Sequence, residues 1–262
     1  KKKFPIPIVC VGNIYTGGTG KTPLSLEIFK ITKSYGKNPA FVKKGYDYLY
    51  DEIQMLDKTG KTYSDKNRKE AIKSLISDKH DVAILDDGFQ DLSIEKDFSI
   101  LCFNSRQLIG NGFLIPAGPL RESFNSIKKA DCVLINGDRN IEFENKINKI
   151  NKNIKIFYSK YKIKNIENFK NKEIVAFAGI GNPSNFFHLL KENNINVKKT
   201  YSFPDHYNYS ENDFSKIIGD KNMKIITTEK DYFRMNDRQK QNCEFVKVDL
   251  EIENKNEFVN LI

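Results

Sequence analysis

The sequence has few of the features that mark secreted or membrane-spanning proteins. No C-x-x-C pair occurs among its four cysteines, so their spacing indicates neither a zinc site nor a disulfide framework. No apolar run approaches the roughly 20 residues that span a bilayer, and no signal peptide is recognisable. The chain begins Lys1-Lys2-Lys3 without methionine, which leaves open an anchoring segment ahead of it. These absences favour a cytoplasmic chain with reduced core thiols at Cys10, Cys102, Cys132 and Cys243.

Arginine and histidine are also scarce. Lysine and arginine together number 43 and give a net charge of +9, yet only six of them are arginine, and histidine occurs three times. The charge favours an anionic partner, such as a nucleotide, an acidic lipid, a phosphorylated sugar or nucleic acid, without choosing among them. Most lysines are expected to be solvated surface. An arginine is a better candidate for a specific site, because its planar fork supplies a bidentate geometry that lysine lacks.

Short apolar strands alternate with amphipathic helices along the chain. With 262 residues, of which 39% are hydrophobic, the chain can bury a sizeable core in one large domain or two smaller ones. Continuous apolar strands are typical of parallel sheets that are covered on both faces. The sequence therefore predicts an α/β fold of the P-loop NTPase type, with a mainly parallel sheet, helices on both faces and a smaller C-terminal α/β lobe. The predicted strands are Ile6–Gly12, Pro39–Val42, Val82–Leu85, Phe98–Phe103, Cys132–Asn136, Ile154–Tyr161, Ile174–Ala178, Lys198–Phe203 and Lys224–Thr227, and the predicted helices are Lys21–Tyr35, Asn67–Ile76, Ser184–Lys191 and Ser210–Ile218.

A change of composition divides this pattern. Residues 138–172 are rich in asparagine, lysine and isoleucine, with few glycines and no proline. We predict a nucleotide-binding lobe over residues 1–150, a connector, partly β, over residues 151–172, and a smaller α/β lobe over residues 173–262. Ligands of such sheets bind at the carboxyl ends of the strands, so we expect the site in a cleft there.

A glycine-rich turn between the first strand and the first helix carries the clearest chemical signal. It reads Y-T-G-G-T-G-K-T against the phosphate-binding pattern G-x-x-x-x-G-K-[ST], with a tyrosine in place of the first glycine. Glycines let backbone N–H groups close around phosphate oxygens, the lysine reaches the β- and γ-phosphates, and the last hydroxyl binds magnesium. The following helix adds its N-terminal dipole. The sequence therefore predicts a site for ATP and Mg²⁺ formed by Tyr15, Thr16, Gly17, Gly18, Thr19, Gly20, Lys21 and Thr22.

A second signal stands at the end of the third predicted strand, where Asp86 and Asp87 follow the apolar run 82–85. A carboxylate in this position is how a P-loop protein presents an oxygen to magnesium or to its water shell. Two adjacent carboxylates also repel each other unless a cation or a proton lies between them. Asp86 and Asp87 are therefore predicted metal ligands together with Thr22.

Two further segments are less specific on their own. The stretch 111–122 is rich in glycine and proline and is predicted to be an ordered loop. Arg121-Glu122 at its end, taken alone, reads as a surface ion pair. His206 follows Asp205 in an aromatic turn after a strand, which suits acid–base chemistry, although a lone histidine is more often structural.

The motifs occur in one order over nearly the whole chain: VGNIYTGGTGKTP, Lys43-Lys44-Gly45-Tyr46, Asp51-Glu52, ILDDGFQ, GNGFLIPAGPLRE, AFAGIGNPSNFF, FPDHYNY and TTEKDYFR. This series resembles the tetraacyldisaccharide 4'-kinase family, the lipid A 4'-kinases. No motif other than the loop is decisive alone, but the ordered series is highly specific. The resemblance implies ATP-dependent phosphorylation of the 4'-hydroxyl of a tetraacylated glucosamine disaccharide 1-phosphate, which gives lipid IVA, at the cytoplasmic face of the inner membrane.

The resemblance also implies roles for individual residues. Asp51 matches the base that accepts the proton of the sugar hydroxyl, and His206 matches the histidine that orients it. Arg121 matches a cation that neutralises charge on the transferred phosphoryl group. Glu122 joins the magnesium ligands. Weaker candidates for contacts to the acceptor substrate are Arg68 and Asn111.

The sequence departs from the family pattern at several places. Lys43-Lys44 replaces Ser-Arg before the Gly-Tyr pair, the stretch between Gly45 and Asp51 is shorter than usual, and Asp91 stands where the family commonly has histidine. The family's N-terminal membrane-associated helix does not appear in this chain. We therefore expect either peripheral attachment to the membrane or an anchor in a missing N-terminal segment, and we expect a monomer that does not bind nucleic acid.

The main alternative is a partition-type regulatory P-loop ATPase, which dimerises around ATP. Those proteins carry a lysine immediately before Gly-Gly-x-Gly-Lys-[ST], where this chain has Thr16. A GTPase switch is disfavoured because the guanine signature Asn-Lys-x-Asp does not occur. A nucleic-acid binder would explain the charge but not the loop, and a different small-molecule kinase would not explain the PAGPLRE and FPDH segments.

Overall fold

A computed structural model of the protein describes residues 1–46, 50–219 and 223–262. Contacts between residues divide the chain into two compact units. The first unit comprises Lys1–Lys160 together with Leu250–Ile262, and the second comprises Tyr161–Asp249.

The first unit is built on an eight-stranded sheet. Its strands are β1 (Ile8–Gly12), β2 (Pro39–Lys44), β3 (Thr62–Asp65), β4 (Val82–Asp86), β5 (Phe98–Asn104), β6 (Cys132–Asn136), β7 (Lys155–Ile163) and β12 (Val248–Ile252). Their order is β12-β7-β6-β5-β1-β4-β2-β3, and neighbouring strands from β3 across to β7 are parallel. Val11 of β1 lies opposite Asp86 of β4. The glycine-rich turn and the acidic pair therefore leave the sheet side by side.

Helices cover both faces of this sheet. In α1 (Lys21–Ser34), Phe29 stacks on Phe41 of β2 with ring centroids 4.8 Å apart. In α3 (Arg68–Ser77), the buried face packs in one core with Val42, the next residue of β2. Successive strand residues point to opposite faces, so α1 and α3 lie on opposite sides of the sheet. This arrangement confirms the predicted fold class. The other helices described in this unit are α2 (Tyr50–Asp57), α4 (Ile141–Ile150), α9 (Lys255–Val259) and a 3-10 helix at Phe124–Lys129.

The second unit is a smaller α/β unit. Its strands are β8 (Ile174–Ala178), β9 (Val197–Ser202), β10 (Lys224–Thr228) and β11 (Glu244–Val246), paired in parallel in the order β11-β10-β8-β9. Phe177 of β8 meets Phe203, Tyr209 and Phe214 edge to face at centroid distances of 5.1 to 6.4 Å. This aromatic cluster holds the turn that follows β9 against the sheet. The helices described here are α5 (Pro183–Glu192), α6 (Glu211–Ile218), α7 (Glu229–Arg234) and α8 (Asp237–Lys240).

The organisation differs from the sequence-based expectation in two respects. No helix was predicted in the stretch 138–172, but it contains α4, in which Asn140 caps the helix by accepting the Phe143 N–H at 2.9 Å. Phe143 and Ile147 are buried, a spacing that the surrounding asparagines and lysines obscured. The boundaries also differ, because residues 151–160 and 250–262 belong to the first unit through the sheet neighbours β7 and β12.

All four cysteines are buried and free, and burial raises the pKa of the Cys10 thiol to about 12. None of the helices in the described part of the chain is long and apolar enough to cross a bilayer.

Candidate active site

The glycine-rich turn leaves β1 and opens directly into α1. Gly17 and Gly20 have φ angles of 102° and 92°, a left-handed conformation that glycine adopts without strain. Gly20 is the N-cap of α1, and as a glycine it has no side chain that could cap the first N–H groups of the helix. An anion can therefore be bound by these N–H groups and by the helix dipole. The geometry is that of a phosphate-binding loop.

Asn13 supports this loop from the interior. The residue is fully buried, and its Nδ2 donates to the Gly17 carbonyl at 3.3 Å and to Thr19 Oγ1 at 2.8 Å. Its own carbonyl accepts a hydrogen bond from Gln90 Nε2 at 2.8 Å. Because an unpaired polar group at this depth would be costly, these bonds fix the shape of the loop.

The loop is also joined to the segment 111–122. Thr16 donates to the Pro119 carbonyl through its N–H at 2.8 Å and through its hydroxyl at 3.0 Å. Tyr15 forms an isolated antiparallel bridge with Leu120. Tyr15 and Thr16, which the sequence assigned to ATP binding, therefore connect two motifs that are distant in the sequence.

Asp86 at the end of β4 has no exposed surface and accepts hydrogen bonds from three side chains. Thr22 Oγ1 lies at 3.2 Å, Ser25 Oγ at 3.0 Å and Lys43 Nζ at 2.5 Å. A buried carboxylate needs such partners, because removal from water penalises its charge. The structure thus brings together the predicted metal ligands Thr22 and Asp86, and it adds Lys43, to which the sequence analysis gave no role.

Asp87 follows in a left-handed turn with φ of 57°, and its side chain faces two cations. Arg121 donates to both carboxylate oxygens at 3.1 and 2.7 Å, and Lys21 Nζ lies 3.8 Å from Oδ1. Arg121 also donates to the carbonyl and side chain of Asn13. Burial alone would raise the pKa of Asp87, but Lys21 and Arg121 lower it well below its ordinary value. Asp87 therefore holds two candidate phosphate ligands beside the loop.

The oxygens of Thr22 and Asp86 fit a magnesium ion. Magnesium binds oxygen at about 2.1 Å in an octahedron, which places adjacent ligands about 3 Å apart. Thr22 Oγ1 and Asp86 Oδ2 are 3.2 Å apart. Within residues 1–46, 50–219 and 223–262, no group of three or more histidine, cysteine, aspartate or glutamate side chains could hold a metal. Magnesium at nucleotide sites usually takes one or two protein ligands and completes its shell with phosphate oxygens and water.

Glu122 and Arg68 bind other protein groups. Glu122 accepts from Ser126 Oγ at 2.6 Å and from Lys129 Nζ at 3.0 Å, and both partners belong to the 3-10 helix that follows it. Arg68 is 8% exposed and donates to the backbone carbonyl of Asp87 at 2.7 Å. Arg68 thus braces the acidic turn. The metal role of Glu122 and the substrate role of Arg68 stay predictions.

Asn111 lies at the start of the segment 111–122 and is exposed. Its Nδ2 donates to the Ala117 carbonyl at 3.0 Å, and its Oδ1 accepts from the Phe113 N–H at 3.2 Å. These bonds order the loop, as predicted for a segment rich in glycine and proline. A contact between Asn111 and the acceptor stays a prediction.

Asp51 lies in the first turn of α2 and is 2% exposed. The next residue, Glu52, forms an ion pair with Lys43, which also binds Asp86. One lysine therefore links the helix that carries the predicted base to the nucleotide site. His206 belongs to the second unit, so its partnership with Asp51 stays a prediction.

His206 itself lies in a left-handed turn with φ of 58°. Its backbone N–H donates to the Gly179 carbonyl at 3.2 Å. The ring nitrogens face two cations, with Nε2 at 3.4 Å from Lys230 Nζ and Nδ1 at 3.3 Å from Arg234 Nη2. The turn and α7, through Lys230 near its start and Arg234 at its end, therefore hold the imidazole in a defined orientation.

Asp231 brings three motifs of the second unit together. It is fully buried and accepts the Gly179 N–H at 3.1 Å, the Tyr209 hydroxyl at 2.8 Å and the Thr228 hydroxyl at 2.6 Å. Burial raises the pKa of Asp231 above its ordinary value. Through this carboxyl group, the AFAGIGNPSNFF, FPDHYNY and TTEKDYFR segments converge around His206.

The sequence profile described as Tetraacyldisaccharide-1-P 4'-kinase, LpxK, matches this chain in two overlapping segments, residues 1–65 and 50–262. The chain belongs to the tetraacyldisaccharide 4'-kinase family. The tetraacyldisaccharide 4'-kinase of Pelagibacter ubique (strain HTCC1062) is 41% identical over 269 residues, which cover 99% of this chain and 86% of that protein. The one from Rickettsia canadensis (strain McKiel) is 38% identical over 97% of this chain and 83% of that protein.

A solved structure shares the fold. The crystal structure of LpxK from Aquifex aeolicus in complex with ATP superposes with a TM-score of 0.76, at 24% sequence identity, over 99% of this chain and 88% of that chain. Family membership thus confirms the resemblance inferred from the ordered motifs.

The structure also identifies residues of this chain that the sequence analysis missed. Asn13 and Asp231 lie within motifs that were quoted from the sequence, but their hydrogen-bond partners are visible only in the structure. Ser25 is three residues after Thr22, a spacing that places both hydroxyls on one side of α1. Lys43 lies in the quoted Lys43-Lys44-Gly45-Tyr46 motif, but the sequence does not show that its ammonium group contacts Asp86.

Proposed function

We propose that this chain transfers the γ-phosphate of ATP to the 4'-hydroxyl of a tetraacylated glucosamine disaccharide 1-phosphate. One observation carries the proposal: in a member of the tetraacyldisaccharide 4'-kinase family, the phosphate-binding loop, the acidic pair and Arg121 converge at the carboxyl ends of β1 and β4. Relatives that bear the kinase name align with nearly the whole chain. A structure with the same fold was determined in complex with ATP, which supports the choice of nucleotide.

The first unit supplies the groups that hold the triphosphate. Backbone N–H groups at the start of α1 bind phosphate oxygens, and Lys21 reaches the β- and γ-phosphates. Arg121 moves from Asp87 to the γ-phosphoryl oxygens and neutralises charge that develops on them. Thr22 and Asp86 would hold magnesium, which would offset the negative charge of the phosphates.

Asp51 is the proposed general base. Its carboxylate accepts the proton of the 4'-hydroxyl while the hydroxyl oxygen attacks the γ-phosphorus. The bond from the γ-phosphorus to the bridging oxygen breaks, and ADP leaves. Because an ordinary aspartate has a pKa of about 4 and is a weak base, we assign His206 the role of orienting Asp51 and sharing the proton.

The acceptor carries acyl chains, so the reaction takes place at a lipid surface. We place the protein at the cytoplasmic face of the inner membrane, attached peripherally or through a segment ahead of this chain. The net charge of +9 supports attraction to anionic lipid head groups. We propose that the protein works as a monomer, with magnesium and without nucleic acid.

A phosphotransfer assay with γ-labelled ATP, magnesium and the detergent-dispersed acceptor tests this function. We expect label in the acylated product and much less label with a deacylated disaccharide. The Asp51→Asn variant should lose transfer while it still binds ATP, whereas Lys21→Ala should lose ATP binding.

Near-normal turnover by Asp51→Asn would reject Asp51 as the base. A protein that hydrolysed ATP only on dimerising and ignored the glycolipid would instead be a partition-type regulatory ATPase.

A further inference from the structure

Lys43 is a buried cation in a chain whose other lysines are mostly at the surface. It is the next-to-last residue of β2, and its side chain is 2% exposed. Its ammonium group contacts Asp86, which has no exposed surface, and Glu52, whose side chain is 18% exposed. Lysine is among the residues that are least often buried unless they are paired.

One ammonium group contacts two carboxylates, those of Asp86 and Glu52. Breaking such a buried arrangement from one side leaves an uncompensated charge, which is why its members hold one another in place.

The two carboxylates belong to different parts of the site. Asp86 also accepts from Thr22 and Ser25, which fixes it to the first turn of α1 beside the phosphate-binding loop. Glu52 directly follows Asp51 in the first turn of α2. The contacts therefore run without interruption from the loop, through Asp86 and Lys43, to the turn that carries Asp51.

The other end of α2 is held by different means. Leu56 is fully buried, and Asp57 accepts the Thr62 N–H at 2.8 Å. Those contacts fix the carboxyl end of the helix to its own unit but do not reach the nucleotide site. The ion pair with Lys43 acts at the amino-terminal turn, where the proposed base lies.

We propose that Lys43 is a positioning residue, whose buried ammonium joins Asp86 to Glu52 and thereby sets the position of Asp51 relative to the phosphate-binding loop. The inference rests on the proposed function, since it gives Asp51 the role of base. The link through Lys43 explains how the base is aligned with the nucleotide, and all of its residues lie in the first unit.

Glu52→Gln is the main test, because it breaks the link on its more exposed side and leaves the Lys43–Asp86 pair intact. We expect kcat to fall by about 10- to 100-fold, the scale of a small misplacement of a reacting group, with the KM for ATP changed less than about twofold. Amide hydrogen exchange in residues 50–57 should become faster. Lys73→Met is the matched control, since it breaks an exposed lysine–glutamate pair on α3 and should leave all three quantities unchanged.

Lys43→Met is a second variant that tests the same link. It should lower both kcat and thermal stability, and the double variant with Glu52→Gln should lose little more kcat than Lys43→Met alone, because both changes remove one link. If Lys43→Met does not fold, the Glu52→Gln result decides. Additive losses in the double variant would overturn the inference.

Wild-type values of kcat and of α2 exchange in Glu52→Gln would also overturn the inference, as would a loss that appears wholly in the KM for ATP. The exchange measurement needs no acceptor. If wild-type protein did not phosphorylate the glycolipid, the proposed function would fail, whereas the Lys43 link would still be judged by exchange in α2.

Discussion

Replacing Arg121 with lysine keeps the positive charge at this position but removes the planar guanidinium group and its paired N–H donors. The guanidinium binds both oxygens of Asp87 at 3.1 and 2.7 Å and also donates to Asn13, so one group joins the acidic turn to the support of the phosphate-binding loop. A lysine at position 121 can keep the charge and one contact. It cannot keep the paired geometry.

The expected size of the effect follows from the contacts that are lost. A hydrogen bond to a charged group contributes about 1.5 to 3 kcal/mol, so losing two of them at the lower value costs about 3 kcal/mol. If Arg121 makes equivalent contacts to the γ-phosphoryl group in the transition state, kcat/KM falls about 100-fold. The loss should appear mainly in kcat, because the charge that Arg121 neutralises develops during transfer.

The assay is steady-state phosphotransfer at saturating acceptor, with ATP binding measured separately by calorimetry. Arg139→Lys is the control, because Arg139 makes the same two-pronged contact to Glu144 at 2.8 and 3.2 Å but is 71% exposed and belongs to the capping region of α4. That control should keep wild-type kinetics. If Arg121→Lys kept kcat within about threefold of wild type while thermal stability fell, Arg121 would serve only the fold, and the reasoning would be refuted.

Three further predictions concern stability and nucleotide binding. The pKa of Asp87 is lower in the folded protein than its unfolded-state pKa of about 4, so the charged carboxylate stabilises the fold above that pH, and this stabilisation is lost as the pH falls towards the folded-state pKa. In urea titrations, the unfolding free energy of the wild type should therefore fall more steeply below about pH 5 than that of Asp87→Asn. Parallel pH dependences of the two proteins would contradict this. Asp231→Asn leaves buried donors without an acceptor and should cost about 2 to 4 kcal/mol of unfolding free energy, whereas the exposed Asp237→Asn should cost little. Asn13→Ala removes two bonds to the loop and should weaken ATP binding about tenfold in calorimetry; unchanged affinity would show that the loop holds its shape without Asn13.

The nucleotide site could be located from the sequence because its signals are local. A buried strand, a glycine-rich turn and a helix follow one another without interruption over residues 8–34, and an apolar strand ends in Asp86. Parallel strands place such ends at one edge of a sheet, which predicts a common site there, whereas the pairing of β1 with β4 comes from the structure.

The contacts that complete the site were beyond the sequence, because they join residues that only the fold brings together. Lys43 pairs with Asp86 across neighbouring strands, and its place in a quoted motif does not reveal this partner in a chain so rich in lysine. The helix α4 was hidden because asparagine and lysine dilute its apolar stripe. Asp231 stood in a recognised motif, but its role as a shared acceptor depends on three segments that meet in the second unit.

The most direct test of the central claim is to locate the transferred phosphate. Wild-type protein would be incubated with ATP, magnesium and the tetraacylated disaccharide 1-phosphate, and the product would be examined by phosphorus–proton correlation NMR, with a 4'-deoxy acceptor as control. We expect one new phosphomonoester on the 4'-oxygen and no transfer to the deoxy acceptor. Phosphate on another position, equal transfer to the deoxy acceptor, or release of inorganic phosphate without a phosphorylated glycolipid would contradict it.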